Sequence, residues 1–266
     1  MENQRFLVPL PDGLSIEAVY YGSGTLCLSS QAGCALRCPF CASGHLGLRR
    51  NLTVDELWQQ VEMAQKMGLD LKRLTLSGIG EPLHNAETVM TFLKECRNKA
   101  LPLSLTTTGY DLSRLEEFLT LPHNGLMLSL HAGTTMAHSR RIPHGPDFNQ
   151  LWNLLEQNLP RLSRRQRRKI GVNYLLLKGR NDSLTEVDAL ITRLRPFPDL
   201  TLHLLRHNPV PESAYASSDE TVLQRLYDHL CQAGVQVRRP NRWRNQSDGG
   251  CGTLVLHQDA KRLFGG

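Results

Sequence analysis

The run Cys34-Ala-Leu-Arg-Cys38-Pro-Phe-Cys41 puts three thiols on one short loop, spaced by three and then two residues. Thiolates at that spacing can hold three corners of a cubane iron–sulfur cluster and leave the fourth iron without a protein ligand. Clusters that only pass electrons normally take four cysteines, and structural zinc sites are closed by four ligands. Three cysteines without a nearby fourth therefore point to chemistry at an open metal position. A rival reading uses His45, four residues past Cys41, to close a Cys3His zinc site in a non-enzymatic RNA-binding module.

Other reactive groups recur along the chain. In Ser77-Gly-Ile-Gly-Glu-Pro-Leu83 the glycines let backbone approach a ligand, and Glu81 can accept from an ammonium group. Thr106-Thr-Thr-Gly109, Ser129-Leu-His131 and His207-Asn208-Pro209 offer further polar side chains. Each has a plain structural reading alone, such as a tight turn; together they describe one polar rim facing one cofactor. Seven cysteines, three of them clustered, form a metal pattern in a reducing compartment and not a disulfide framework. Cys96 and Cys231 lie in helical stretches and read as plain buried thiols.

The elements that must position these groups follow from the hydrophobic pattern. A hairpin around Pro11-Asp-Gly13 opens the chain. Short β-rich runs then occur at residues 25–30, 73–77, 101–105, 125–131, 170–177 and 200–205. Amphipathic helical runs separate them, near 54–64, 87–99, 112–119, 148–159, 184–194 and 219–234. The first starts at a capping box, Thr53-Val-Asp-Glu56. Six strand–helix units in one direction predict a parallel α/β sheet with right-handed crossovers, curved into a partial (βα)6 TIM-like barrel. Function then belongs at the carboxyl ends of the strands, where the cysteine loop sits. At 266 residues the chain reads as a single domain. Residues 1–24 form a hairpin extension, 25–239 the (βα)6 core, and 240–266 a C-terminal loop and tail. There is no signal peptide and no apolar run of membrane-spanning length, so the expectation is a cytoplasmic protein.

Net charge is +6, and the excess is concentrated. Arg161, Arg164, Arg165, Arg167, Arg168 and Lys169 form one block; Arg238, Arg239, Arg242 and Arg244 surround Trp243 in a second. A charge run is often only a solvated face. An aromatic ring among arginines, however, suits base stacking and phosphate neutralisation.

The cysteine loop with an aromatic before its last cysteine, and Gly80-Glu-Pro-Leu83, resemble radical S-adenosylmethionine (SAM) enzymes. Ser29-Ser-Gln-Ala-Gly-Cys34, Arg50-Asn-Leu-Thr53, Leu128-Ser-Leu-His-Ala132 and Gly250-Cys-Gly-Thr-Leu254 narrow this to a resemblance to the RlmN/Cfr family, from about Leu7 to Leu254. That family methylates adenine in RNA at carbon 2 or carbon 8. The resemblance implies a 4Fe–4S cluster on Cys34, Cys38 and Cys41, with Gly80, Glu81, Thr108, Ser129, His131 and Asn208 at SAM-binding positions. It also implies two SAM molecules. One methylates Cys251; the other, on the open iron, yields a 5′-deoxyadenosyl radical that takes hydrogen from that methyl. The carbon radical adds to the base, Glu17 matches the proton acceptor, and Cys27 attacks Cys251 to free the product as a disulfide forms. The implied partners are ribosomal or transfer RNA and a flavodoxin-like or other one-electron donor, with the protein a monomer.

Two departures stand out. Family members carry an N-terminal helical domain before the position of Glu17, and in this sequence Glu17 stands near the start. The family's acidic-isoleucine-acidic-Ala-Ala run before the carrier cysteine is here Gln246-Ser-Asp-Gly-Gly250. It keeps Asp248 but gains backbone freedom from its glycines. These leave open a second enzymatic reading, a radical methylase of a nucleoside-like small molecule.

Overall fold

The computed structural model describes residues 2–257 apart from Leu46, Pro211, Glu212, Ser247, Asp248, Gly250 and Cys251. The strands in chain order are β1 (Gln4–Pro9), β2 (Ser15–Tyr21), β3 (Thr25–Leu28), β4 (Gln31–Gly33), β5 (Leu48–Asn51), β6 (Arg73–Leu76), β7 (Leu103–Thr107), β8 (Gly125–Ser129), β9 (Ile170–Leu176), β10 (Thr201–Arg206) and β11 (Gln236–Arg238). One sheet has the order β1-β2-β3-β6-β7-β8-β9-β10-β11, and β4 pairs with β5 in a second. The run from β3 to β11 is parallel throughout; β1 and β2 add an antiparallel hairpin to its first edge. The α/β architecture and the six expected core strands are present. The seventh parallel strand, β11, and the small β4–β5 sheet were not legible in the pattern.

Alternation along the core strands separates two faces. Leu26, Leu28, Leu74, Leu76, Leu126, Leu128, Val172, Leu202 and Leu204 are fully buried on the face that packs against the helices. The helices present matching stripes, for example Leu57, Val61 and Ala64 of Val54–Lys66, or Val187, Leu190 and Ile191 of Leu184–Leu194. Truncating one such leucine to alanine costs about 2–5 kcal/mol. The alternate residues, Thr25, Thr75, Ser104, Thr106, Asn173 and His203, line a common cavity. Residues of β3 and β10 border that same cavity, so the sheet curls into an open barrel with a polar lumen.

The Arg50-Asn-Leu-Thr53 run is structural. Arg50 grips Glu56 with both guanidinium ends at 2.8 and 2.7 Å, and its Nε donates to Asp12 in the hairpin turn at 2.6 Å. Glu56 in turn completes the capping box by accepting from the Thr53 backbone at 2.9 Å. One arginine thus ties the hairpin, β5 and the first long helix together beneath the cysteine loop. Among the described residues no helix is long and apolar enough to cross a membrane.

Burial holds the imidazole of His123, ahead of β8, well below its ordinary pKa, at about 4, with Lys169 acting in the same direction. Because the folded form resists protonation, its contribution is present above the unfolded value of 6.5 and is lost as pH falls from there toward 4. Urea unfolding at pH 7 and pH 5 should therefore show that His123→Gln removes about 2 kcal/mol of the acid-induced loss. An unchanged pH dependence would contradict the assignment.

Candidate active site

The cysteine loop follows β4 at the carboxyl end of the barrel. It turns on Gly33, whose φ is +86° and where a Cβ would stand 1.9 Å from the Gly47 carbonyl; only glycine fits there. Backbone bonds from Cys34 to Gly47, Cys41 to Cys38 and Gly44 to Cys41 close it. Cys34 and Cys38 are buried and Cys41 half-buried. Burial pushes the Cys34 thiol up to about 12, and Cys38 also rises well above the ordinary range through burial, with Cys41, Cys34 and Glu81 adding to it. Thiols so costly to ionise alone suit a cationic centre that brings the compensating charge.

Sulfurs on a single tetrahedral zinc stand only about 3.8 Å apart, from 2.3 Å bonds. Among the described residues no three His, Cys, Asp or Glu side chains converge in that way. His45 is exposed, with Nε2 3.3 Å from the Pro39 carbonyl. Cys34 and Cys38 pack in one buried cluster with Phe40, and Cys41 packs against it.

The polar rim assembles around this loop. Gly80 has φ +106°, and a Cβ there would meet the Gln31 side chain at 2.6 Å. Glu81 is buried, and burial raises its carboxyl pKa. Its oxygens accept from the Thr107 hydroxyl, the Thr108 amide at 2.8 Å, the Thr108 hydroxyl at 3.0 Å and the Leu83 amide at 3.0 Å. Glu81 and Thr108 are thus bonded partners within that rim. His131 adopts a left-handed φ of 54°, which strains a non-glycine residue. That turn lets Nδ1 accept from the Leu175 amide at 3.0 Å and sets the ring edge-on to Phe40 of the cysteine loop. His207 Nε2 is 3.0 Å from the Phe40 carbonyl, and Asn208 donates to the Arg244 carbonyl at 3.0 Å. Ser129 ends β8 beside Asn173.

Cys27 is buried in β3, its sulfur 3.2 Å from the Ser77 hydroxyl, which is 3.3 Å from that of Thr75 on the lumen wall. Cys251 lies outside the described residues, as does Asp248, but its neighbours are tied down. The Tyr21 hydroxyl donates to the Gly249 carbonyl at 2.7 Å. The amide of Ala42, next to Cys41, donates to the Gly252 carbonyl at 2.8 Å, and Ser43 bonds the Leu254 carbonyl at 2.7 Å. Glu17, buried in β2, accepts from the Val255 amide at 2.8 Å and stands 3.1 Å from His257 Nε2. Arg5 lies 3.7 Å from the same carboxylate and donates to the Thr253 hydroxyl at 2.6 Å. His257 also bridges Ser15 on the stretch of β2 edge that β3 leaves unpaired. The segment after Cys251 is thereby fastened to the hairpin and to the cysteine loop. Arg5 and His257 were not singled out by sequence, because neither belongs to a local motif.

The lumen opens at the amino ends of the strands, away from the cysteine loop, as a cavity of about 530 Å3. Its mouth carries Arg73, Arg168, Lys169, Arg238, Arg239 and Arg244, and no Asp or Glu is among the described residues lining it. The two basic blocks, remote in sequence, meet here beside Trp243. Not all of the first block takes part: Arg164 and Arg167 pair with Asp199 at 3.2 and 2.9 Å. Arg239 shares Glu220 at 3.6 Å.

Residues 28–191 match the radical SAM superfamily. A probable RNA methyltransferase from Rhodopseudomonas palustris (strain BisB5) is 33% identical over 98% of this chain and 73% of its own length. A dual-specificity RNA methyltransferase RlmN from Magnetococcus marinus (strain ATCC BAA-1437 / JCM 17883 / MC-1) is 34% identical over 94% of this chain and 73% of its own. The chain belongs to the RlmN/Cfr family of radical SAM methyltransferases. A crystal structure of a radical SAM methyltransferase from Sphaerobacter thermophilus superposes with a TM-score of 0.80 and 27% identity, covering 95% of this chain and 77% of that one. The family match makes the protein an enzyme and sets aside the zinc-module reading. Radical SAM family membership implies a 4Fe–4S cluster and SAM, and the residues present fit such a group: two buried thiols and a half-buried one on a single loop, with Glu81 near enough to Cys34 and Cys38 to raise their pKa.

Proposed function

We propose that this enzyme methylates carbon 2 or carbon 8 of an adenine in RNA, using a methyl group carried on Cys251. The observation that carries the reading is the pairing of two features. The residues flanking Cys251 are bonded to the cysteine loop, and the lumen opens opposite through a cationic mouth. Cofactor and carrier meet at one end of the barrel and a polyanion can approach the other.

Cys34, Cys38 and Cys41 would hold the 4Fe–4S cluster, with SAM contacted by Gly80, Glu81, Thr108, Ser129, His131 and Asn208. Cluster and SAM supply one-electron cleavage of the sulfonium, which removes hydrogen from an otherwise inert methyl, and SAM also supplies the methyl itself; a flavodoxin-like or similar donor provides the electron. The remaining roles fall to the chain. The Cys251 sulfur presents the carried carbon, which bonds to the ring carbon of the base. Glu17 accepts the proton that the ring gives up, and the odd electron left on the ring would return to the cluster. That carboxylate already receives the Val255 amide, so protonating it weakens its hold on the carrier segment. The Cys27 sulfur then attacks that of Cys251; the electron pair of the breaking carbon–sulfur bond goes to the carried carbon, which takes up a proton to become the methyl group, and a disulfide is left. Burial of Cys27 beside Ser77 and the lumen wall keeps competing thiols from its sulfur.

A nucleoside-like small substrate would need little of the cationic mouth. Binding of a short single-stranded RNA, followed by fluorescence anisotropy across a salt series, separates the two. Contacts to Z phosphates give a slope of about −0.7Z in log affinity against log salt, and Arg238→Ala should shallow it by about 0.7. A salt-independent affinity would favour the small substrate.

A further inference from the structure

Within the lumen, β9, β10 and β11 set Asn173, His203 and Arg238 side by side in register, next to Ser129 at the end of β8. Asn173 is 2% exposed and lines the cavity together with His203. A buried amide normally spends its two donors and its acceptor on protein partners; among the described residues the Asn173 side chain has none. His203 likewise carries no side-chain hydrogen bond there. Burial, with Arg238 and Arg244 nearby, holds its imidazole neutral, with a pKa of about 4. A neutral imidazole offers one donor and one acceptor.

None of the SAM-position residues lines this cavity, although Ser129 stands beside Asn173 across the β8–β9 pair. Cys27 is in register with Thr75, which lines the same cavity as Asn173. A volume of about 530 Å3 is within the range of small-molecule sites. It suits one base with its ribose while the phosphates stay among the arginines.

We infer that Asn173, with His203 beside it, reads the edge of the substrate purine in the lumen, its amide pairing with the exocyclic 6-amino group and an adjacent ring nitrogen of adenine. The inference rests on the RNA reading above and adds the residues that select the base. An asparagine amide matches that donor–acceptor pair in a bidentate way, and a purine lacking the amino group leaves the amide oxygen unpaired.

The test uses two single-stranded RNA heptamers, uridine at every position but the centre, which is adenosine in one and purine riboside in the other. Affinities are measured on the wild-type protein, Asn173→Leu and Asn173→Ser. The wild type should prefer adenosine by about tenfold. Both variants should lose that preference and bind the two RNAs equally, while the salt dependence set by the phosphate contacts stays that of the wild type. Equal wild-type affinities, or a preference that survives in either variant, would overturn the assignment and leave the RNA reading standing. The wild-type comparison alone decides the case if a variant fails to fold. No binding of either RNA at low salt would sink both readings.

Discussion

Cys27→Ala is expected to leave RNA covalently attached to the protein. With no sulfur at position 27 to attack Cys251, the bond between the carried carbon and the Cys251 sulfur persists after the base has been joined. The adduct should survive denaturation, be released by nuclease to a protein bearing a single nucleotide, and reach near-stoichiometric amounts while free methylated RNA falls below detection. The substitution itself is small. Cys27 is fully buried in β3, alanine fits the strand, and a weak bond to Ser77 is lost. A folded variant that turned over normally would remove the resolving role from Cys27.

Cys251→Ala has the opposite signature: methylation is abolished and no adduct forms, because no sulfur remains to accept the carried carbon. RNA affinity should be close to that of the wild type, since the cationic mouth lies at the other end of the lumen. Neither should the tethering of the segment change, because the bonds to Gly249, Gly252 and Val255 are made by backbone groups. The double variant separates the two roles: Cys27→Ala with Cys251→Ala should form no adduct. Methylated RNA from the Cys251 variant, measured by mass spectrometry of its nucleosides, would contradict the carrier assignment outright.

Much of this site was legible in the sequence because its determinants are local. Three cysteines within one loop, the Thr53–Glu56 capping box and the glycines around Glu81 each act through neighbours a few residues away. The core strands showed themselves through leucine alternation that the helices bury. What could not be read was long-range convergence. Residues 236–238 lack an apolar pattern and become β11 only through backbone pairing to the edge of β10. Arg168 and Arg238 belong to separate charge runs, and only the curl of the sheet brings them to one mouth. Glu17 stood out only through the family resemblance; its partners Val255 and His257 come from the far end of the described chain. The polar lumen was present as alternating residues, Gly171-Val-Asn173-Tyr-Leu175 in β9, but alternation alone does not tell a lumen from a solvated face.

The central claim, a methyl group carried on Cys251, is most directly tested by peptide mass mapping of the segment containing that residue in protein isolated with its cluster. The expected result is an added methyl on the Cys251 sulfur, either as isolated or after incubation with SAM, and its absence from Cys27. An unmodified Cys251 under both conditions would contradict the carrier mechanism, leaving a radical SAM enzyme that delivers its product by another route.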